Sequence, residues 1–142
     1  MLSLPLKSVN NLVKDARKVQ QTILLVGDIS DIYVTNFNTM TGDPNFTVEE
    51  LSAIAFGYNR LLKESSDLLL DLKEVTTATG LSMTDKERLD IINRIYGEVL
   101  EYKNLTWYYT RKNIGVSYLR SKEKGDAARV LSLYGTHDQR YW

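Results

Sequence analysis

Aromatic and basic side chains alternate in one short segment of the chain, NLTWYYTRKNIGVSYLRSKEK, between Asn104 and Lys124. Such a mixture can stack against the bases of single-stranded nucleic acid, lie at a membrane surface, or form the packed side of a helix. Between Lys103 and Arg129 the cations outnumber the acids, which are Glu123 and Asp126. The cations are Lys103, Arg111, Lys112, Arg120, Lys122, Lys124 and Arg129. This basic segment is the strongest binding candidate in the sequence.

The other reactive residue types do not form a recognisable catalytic or metal-binding set. The chain has no cysteine and a single histidine, His137, which excludes a thiolate nucleophile and a two-histidine metal site. A histidine-based triad would depend on His137 alone, and its place in the polar tail THDQRYW favours a solvated residue over a ligand or catalyst. Acids such as Asp28 and Asp31 lack the Glu-x-x-His partner that a di-metal helical bundle uses. No P-loop or GxGxxG pattern is present. We therefore expect no enzyme activity, no catalytic, metal-binding or cofactor-binding residue, no cofactor and no small-molecule substrate.

Length and composition are those of an ordinary globular or helical protein. The chain has 142 residues, of which 43% are hydrophobic and 25% charged, so it should fold, and as one domain over residues 1–142. Its 18 basic and 18 acidic residues cancel, so the whole molecule is not steered toward polyanions. No apolar run reaches the roughly 18 residues needed to span a bilayer, and we expect a protein that does not span the membrane.

The first long helix is predicted by apolar residues that recur from Leu12 in alternating steps of four and three. This spacing is the heptad pattern of a helix packed along a partner. Its members are Leu12, Ala16, Val19, Ile23, Val26, Ser30, Tyr33, Phe37 and Met40, among which only Ser30 is polar. The following segment TGDPNF, Thr41–Phe46, is typical of a turn because it combines glycine, aspartate and proline.

Two capping boxes mark the starts of the next helices. Thr47 and Glu50 form the first, and Thr84 and Glu87 form the second, since each threonine can accept from a free amide while the glutamate reaches back. The second helix has the seam Leu51, Ile54, Tyr58, Leu61, Ser65, Leu68, Leu72 and Val75. The third has the seam Ile92, Ile95, Val99, Tyr102, Thr106, Tyr109, Asn113 and Val116. Tyr108 points away from it.

Glycines and β-branched residues predict where the helices end. The run Thr76–Gly80 should end the second helix, and Gly115 indicates a stop or kink in the third before it continues toward Glu123. A short final helix is expected from Asp126, as its N-cap, to Gly135. Glycines inside the helices cost roughly 1 kcal/mol each relative to alanine. We expect close approach of neighbouring helices to explain those at Gly27, Gly57 and Gly97.

These patterns predict an all-α protein. The expected architecture is an elongated, coiled-coil-like antiparallel three-helix bundle with a short C-terminal helix. The helices are placed at about residues 8–41, 48–78, 85–122 and 127–134. In that arrangement most of the aromatic cluster is core, with Tyr102 and Tyr109 on the seam and Trp107 beside it.

Extended strings of the sequence also resemble a known family. They are KSVNNLVKDARKVQQTILLVGDISDIYV (Lys7–Val34), EELSAIAFGY (Glu49–Tyr58), LSMTDKERLDIINRIY (Leu81–Tyr96), and YYTRKNIGVSYLRSKEKGDAARVLSLYG with the closing RYW. The chain resembles the TraI conjugal transfer proteins of Bacteroides-type conjugative transposons, a TrbJ-like family similar to minor pilus subunits of type IV secretion systems. The resemblance extends from Lys7 to Trp142 and includes no catalytic motif.

The resemblance implies a location and a role. It implies export to the periplasm, cell envelope or pilus, and a non-enzymatic role in assembling the conjugative DNA-transfer apparatus through contacts with its other subunits. Members of that family carry an N-terminal secretion signal and a further helical stretch. This chain begins near Lys7 of the resemblance without a signal peptide, so we expect a mature or trimmed form. A bundle without that upstream helix would leave an apolar stripe uncovered, which favours homo-oligomers.

Exposed aromatic and arginine side chains are the usual anchors of protein interfaces. The expected partner contacts are Tyr108, Arg111, Lys112, Arg120, Tyr141 and Trp142. The alternative function is a helical nucleic-acid-binding module that uses the basic segment. It is less favoured, because the excess of cations there is modest.

Overall fold

Four helices make up the part of the chain that the computed structural model describes, residues 6–77 and 83–135, with side chains from Lys14 onward. They are α1 (Leu6–Thr41), α2 (Val48–Thr77), α3 (Asp85–Glu123) and α4 (Ala127–Tyr134). The described residues contain no strand. The expected all-α bundle with a short C-terminal helix is confirmed, and the helix boundaries agree with the predicted ones to within two residues. None of these helices carries an apolar stretch long enough to cross a membrane.

Contacts between the long helices establish an up-down-up arrangement. Lys18 lies against Tyr96 and Lys103 against Asp28, so residue numbers rise together along α1 and α3 and these helices are parallel. The hydroxyl of Tyr102 reaches Glu64, whereas Arg120 reaches Glu50. Residue numbers therefore run in opposite directions along α2 and α3, which are antiparallel.

Both predicted capping boxes are present. The amide of Glu50 donates to Thr47 Oγ1 at 3.1 Å, and the amide of Thr47 donates to Glu50 Oε1 at 3.0 Å. Thr84 and Glu87 make the same reciprocal pair at the start of α3. Each box satisfies amides that would otherwise lack partners in the first turn.

The ends of α3 and α4 differ in part from expectation. Gly115 neither stops nor interrupts α3, which runs unbroken to Glu123. Asp126 precedes α4, yet its side chain makes no cap hydrogen bond and instead binds Arg129 at 2.6 Å. Gly135 ends α4 with φ +79°, a backbone conformation that glycine adopts without a Cβ penalty.

The predicted seam of α2 is correct, whereas that of α1 is wrong at Ala16 and Ile23 and correct at Val19 and Val26. Ile23 is 52% exposed and Ala16 is exposed, while Leu25 and Ile29 are buried with Val26. The error arises because four apolar residues are consecutive between Ile23 and Val26, so periodicity alone does not select one face. Thr22 is also fully buried. Its hydroxyl can be buried at little cost because it donates to the Lys18 carbonyl of its own helix at 2.8 Å.

The seam of α3 drifts away from its predicted line. The residues from Ile92 to Val99 are buried as expected, but Val116 is 39% exposed while Ile114 and Ser117 are buried. A straight α-helix turns about 20° per heptad relative to a strict seven-residue repeat. Over the 24 residues from Ile92 to Val116 the buried line therefore moves to neighbouring positions. In the second half of α3 it follows Thr106, Thr110, Ile114, Ser117 and Ser121.

The core consists of two apolar clusters with hydroxyl groups between them. One cluster contains Leu25, Val26, Ile29, Leu72, Ile92, Ile95 and Val99, and the other contains Met40, Phe46, Ile54, Tyr58 and Ile114. Ser65 and Thr106 are fully buried as well. Their hydroxyls donate to the carbonyls of Leu62 and Tyr102 in their own helices, so the small polar groups are satisfied without a partner across the bundle.

A buried carboxylate fastens the turn between α1 and α2 to the end of α3. Asp43 is 3% exposed, and its Oδ1 accepts from the amide of Asn45 at 2.9 Å. Its Oδ2 accepts from Ser117 Oγ at 2.5 Å and from the Tyr134 hydroxyl at 2.8 Å. Burial and the neighbouring Asp43 carboxylate raise the pKa of Tyr134, so this hydroxyl remains a donor at neutral pH.

Substitution of Asp43 should show how much this network contributes to stability. We expect Asp43→Ala to lower the free energy of unfolding by about 3 kcal/mol, because three hydrogen bonds are lost and buried donors stay unpaired. Urea denaturation followed by circular dichroism measures the difference. The matched control is Asp90→Ala at an exposed position of α3, expected to change stability by less than about 0.5 kcal/mol. Equal effects of the two substitutions would contradict the assigned role of the network.

Candidate protein-interaction groove

The predicted contact residues occupy different environments. Tyr108 is 52% exposed, and Lys112 Nζ lies 5.7 Å from the centroid of its ring. Arg111 is exposed on the same turn. Arg120 instead binds within its own chain, as described below, and Tyr141 and Trp142 lie outside the described residues. Tyr108 is therefore the predicted contact that lies in a concave surface.

That surface is a groove between α2 and α3, here called the α2–α3 groove. It has two adjoining parts of about 350 and 580 Å³ that share Glu64, Tyr102 and Leu105. The aromatic half is lined by Arg60 and by the mostly apolar set Gly57, Leu61, Leu105, Tyr108 and Tyr109. The acidic half contains the carboxylates of Glu64, Asp67, Asp71, Glu98 and Glu101. The groove therefore changes from apolar to acidic along its length.

Gly57 shapes the aromatic half. A Cβ at this position would lie 2.5 Å from Cζ of the Tyr109 ring, so only glycine leaves room for the ring against α2. The Tyr109 hydroxyl donates to the Ile54 carbonyl at 3.0 Å. Its ring meets Tyr58 edge-on, with centroids 4.9 Å apart at 88°, a favoured aromatic geometry. Close helix approach, expected at Gly57, is thus found there.

Gly27 and Gly97, for which close helix approach was also expected, do not follow that expectation. A Cβ at Gly27 or at Gly97 would have no atom within 4 Å. Close packing against the residues that the structure describes therefore does not explain either glycine, and the prediction was wrong for both. Sequence alone could not separate the three positions, because the deciding atom at Gly57 belongs to a different helix.

Tyr58 packs behind Tyr109 in the core and supports the aromatic half of the groove. Its ring stacks on Tyr33 with centroids 4.7 Å apart, and its hydroxyl lies 2.6 Å from Thr110 Oγ1. Since Thr110 donates its own proton to the Thr106 carbonyl, the Tyr58 hydroxyl is the donor in this pair. Burial is the main cause that raises the pKa of Tyr58 to about 12. The groove wall thus rests on a fully buried, hydrogen-bonded tyrosine.

The acidic half was not recognised in the sequence. Its signal was available, because Glu64, Asp67 and Asp71 are spaced i, i+3, i+7 on α2 and therefore share one face. The two acids of α3, Glu98 and Glu101, face the same groove. Only the antiparallel packing of α2 on α3 brings the two sets together.

Several of these acids already have partners within their own helix. Glu64, Asp67 and Glu98 pair with Arg60, Lys63 and Arg94 respectively at 2.9–3.2 Å. Such exposed pairs contribute little to stability. The pKa of Glu64 is lowered, mainly because its carboxylate accepts a hydrogen bond from the Tyr102 hydroxyl. Asp71 and Glu101 form no ion pair with another described residue, so the groove keeps a net negative charge.

These carboxylates do not form a metal site. Within residues 6–77 and 83–135, no group of three or more histidine, cysteine, aspartate or glutamate residues is close enough to hold a metal ion. The groove therefore offers apolar contacts and unpaired negative charge. These features suit a protein partner better than a small-molecule ligand.

The cations of the basic segment are divided among several partners. Lys103 binds Asp28 on α1, Arg120 binds Glu50 on α2, and Arg129 binds Asp126. Lys124 donates to Asn45 Oδ1 at 3.0 Å. The basic segment thus holds the bundle together at several points, and these contacts give no specific support to nucleic-acid binding, which needs cations gathered on one face.

Alanine in place of Gly57 should distinguish a packed glycine from an open one. We expect Gly57→Ala to destabilise the protein by about 1–2 kcal/mol, because displacing the Tyr109 ring outweighs the gain in helix propensity. The control Gly97→Ala should stabilise it by about 0.5–1 kcal/mol, since its Cβ meets open space. Urea denaturation of both variants measures the difference. Stabilisation by both substitutions would contradict the packing role of Gly57.

The Glu50–Arg120 pair should make stability depend on acid pH. Arg120 binds both carboxylate oxygens of Glu50, at 2.8 and 2.6 Å. This hydrogen bonding, with that from the Thr47 amide, lowers the pKa of Glu50 to about 2, from an ordinary value of about 4.3. A lowered pKa in the folded state stabilises the fold above the ordinary value, and the contribution disappears as the pH falls toward 2.

Glu50→Gln removes this titration. We expect the variant to lose less stability than the parent protein between about pH 5 and pH 2, as measured by urea midpoints at each pH. The control Glu49→Gln, at the exposed neighbouring position, should keep the parent pH profile. A Glu50→Gln profile that overlays the parent profile would show that the pair contributes nothing.

Comparison of the chain with protein-family models, with curated proteins and with solved structures returned no match. The resemblance to the TraI conjugal transfer proteins therefore stays a prediction from the sequence.

Proposed function

We propose that this protein is a non-enzymatic structural and assembly component that acts through protein–protein contacts in a conjugative type IV secretion apparatus. The contact surface in this proposal is the α2–α3 groove. Its partners would be other subunits of the transfer apparatus, and its place would be the periplasm, cell envelope or pilus.

The observation that carries the interaction role is the apolar exposure in the aromatic half of the groove. Leu105 is 47% exposed and Tyr108 is 52% exposed, and they lie together on one wall. Tyrosine in a concave, partly apolar surface is a frequent anchor of protein interfaces. The charged rim adds orientation and selectivity between partners.

The proposed role in conjugation is supported by the sequence and not by the groove. The resemblance in sequence is what favours conjugative DNA transfer, the envelope location and the subunit partners. The helical bundle is compatible with such a scaffold, but many unrelated proteins share this architecture. The proposal therefore needs an experiment that tests the groove and the process separately.

A mating assay supplies that experiment. The gene is deleted in a donor strain and supplied in trans as the parent or as Leu105→Asp with Tyr108→Asp. We expect the double variant to lower transfer frequency at least about tenfold, because each buried anchor contributes about 2 kcal/mol or more to binding. Circular dichroism and expression level verify that the variant is folded and present.

The matched control is Val48→Asp, which places the same charge at a side chain that is 78% exposed outside the groove. It should transfer DNA at the parent frequency. Unchanged transfer after deletion of the gene would refute the role in conjugation. Unchanged transfer by the groove variant alone would refute the groove as the working surface.

A further inference from the structure

An apolar surface remains uncovered on α1. Ile23 is 52% exposed, Leu24 67% and Val34 63%. Gly27 lies between them with open space in front of its Cα. These four residues, with exposed Asp31, are here called the α1 outer face. Their spacing places them on one side of the helix, away from Ile29 and the other buried residues of α1.

We propose that the α1 outer face of a second copy of this chain docks into the α2–α3 groove. This inference rests on the proposed function in one respect, which is that it uses the same groove. It names the occupant as another molecule of the same protein.

Charge complementarity favours this occupant. Arg17 is exposed about two turns before Leu24 and Lys14 about three turns before it. With Lys18 they line a depression against α3 whose described lining residues include no acid. The acidic half of the groove presents Asp71 and Glu101 without partners within the described chain. The formal charge of the whole chain is zero, so two copies can associate without net repulsion.

The spacing of the two surfaces also matches. Arg17 precedes Leu24 by seven residues, and Glu101 precedes Tyr108 by seven residues. At 1.5 Å per residue both separations are about 10.5 Å. With the docked α1 parallel to α3, its cations lie level with the acidic half while Leu24 lies level with Tyr108. The docked helix is then antiparallel to α2, the same relation that α1 has within its own chain.

Gly27 acquires an explanation in this register. It falls about one turn beyond the level of Tyr108, where a small residue lets a helix approach an exposed ring closely. A glycine in an exposed helix interior costs about 1 kcal/mol relative to alanine, and no contact with another described residue offsets this at Gly27. Asp31 then lies about one turn from Lys112, which adds a second complementary pair.

The α1 outer face points away from α2 and α3, whereas the groove lies between those two helices, so one pair of copies does not make both contacts at once and the contact is heterologous. Each copy presents one α1 outer face and one groove, and successive copies form a chain or a closed ring instead of a symmetric dimer. The expected solution behaviour is growth of mean mass with protein concentration. Salt should reduce it, because the cations and acids involved are exposed.

Light scattering coupled to size-exclusion chromatography tests this on the purified full chain. We expect the mean mass to exceed 16.3 kDa and to rise with concentration. Asp71→Lys with Glu101→Lys reverses the groove charge, and Lys14→Glu with Arg17→Glu reverses the charge beside the α1 outer face. Each double variant alone should be monomeric, whereas an equimolar mixture should associate again, since opposite charges then meet.

The control is Asp90→Lys with Glu123→Lys, which makes the same change of charge at exposed positions of α3 outside the groove. It should associate like the parent. A parent protein that stays at 16.3 kDa at all concentrations would overturn the proposal, as would a mixture of the two reversed variants that fails to associate. If the parent stays monomeric while the groove variant still lowers DNA transfer, the second-copy contact fails and the proposed function stands.

Discussion

Asp43 places a carboxylate at the turn between α1 and α2, where it is 3% exposed. A buried charge is costly unless hydrogen bonds replace its hydration. The donors come from three parts of the chain: the turn itself, Ser117 on α3 and Tyr134 on α4. Meeting this requirement fixes the axial position of α3 relative to the turn. The register of the long helices at this end of the bundle follows from it.

The α2–α3 groove depends on that register. Arg120, one turn beyond Ser117, reaches Glu50 and the Asn45 carbonyl, which locks α2 to the same level of α3. Gly57 then lies opposite Tyr109, and the acids of α2 lie opposite those of α3. A shift of α3 by one turn would bring the Tyr109 ring against a residue with a Cβ and would separate the two acidic sets.

Acidic and basic side chains are concentrated on different surfaces of the molecule. The totals cancel, yet the acids concentrate in the groove while Lys14, Arg17 and Lys18 line the depression between α1 and α3. The basic segment between Lys103 and Arg129 is used largely in contacts within the bundle. A zero net charge therefore conceals two surfaces of opposite sign, which favour contacts between proteins more than attraction to a polyanion.

The sequence by itself determined the local structure: four helices, their boundaries, two capping boxes and the turn glycine at Gly135. These depend on neighbouring residues and so can be read from one segment. The sequence also identified Tyr108 as outward-facing, because Tyr108 does not belong to the apolar seam of α3. It placed Ile23 instead of Leu25 on the buried face of α1, and it did not follow the seam of α3 to Val116. Four consecutive apolar residues leave the choice between Ile23 and Leu25 open, and the helix repeat differs from the heptad. Nor could the sequence find the groove, the space at Gly57 or the unfilled space at Gly27. Each of these depends on which side chains another helix brings near, and only the tertiary structure decides that.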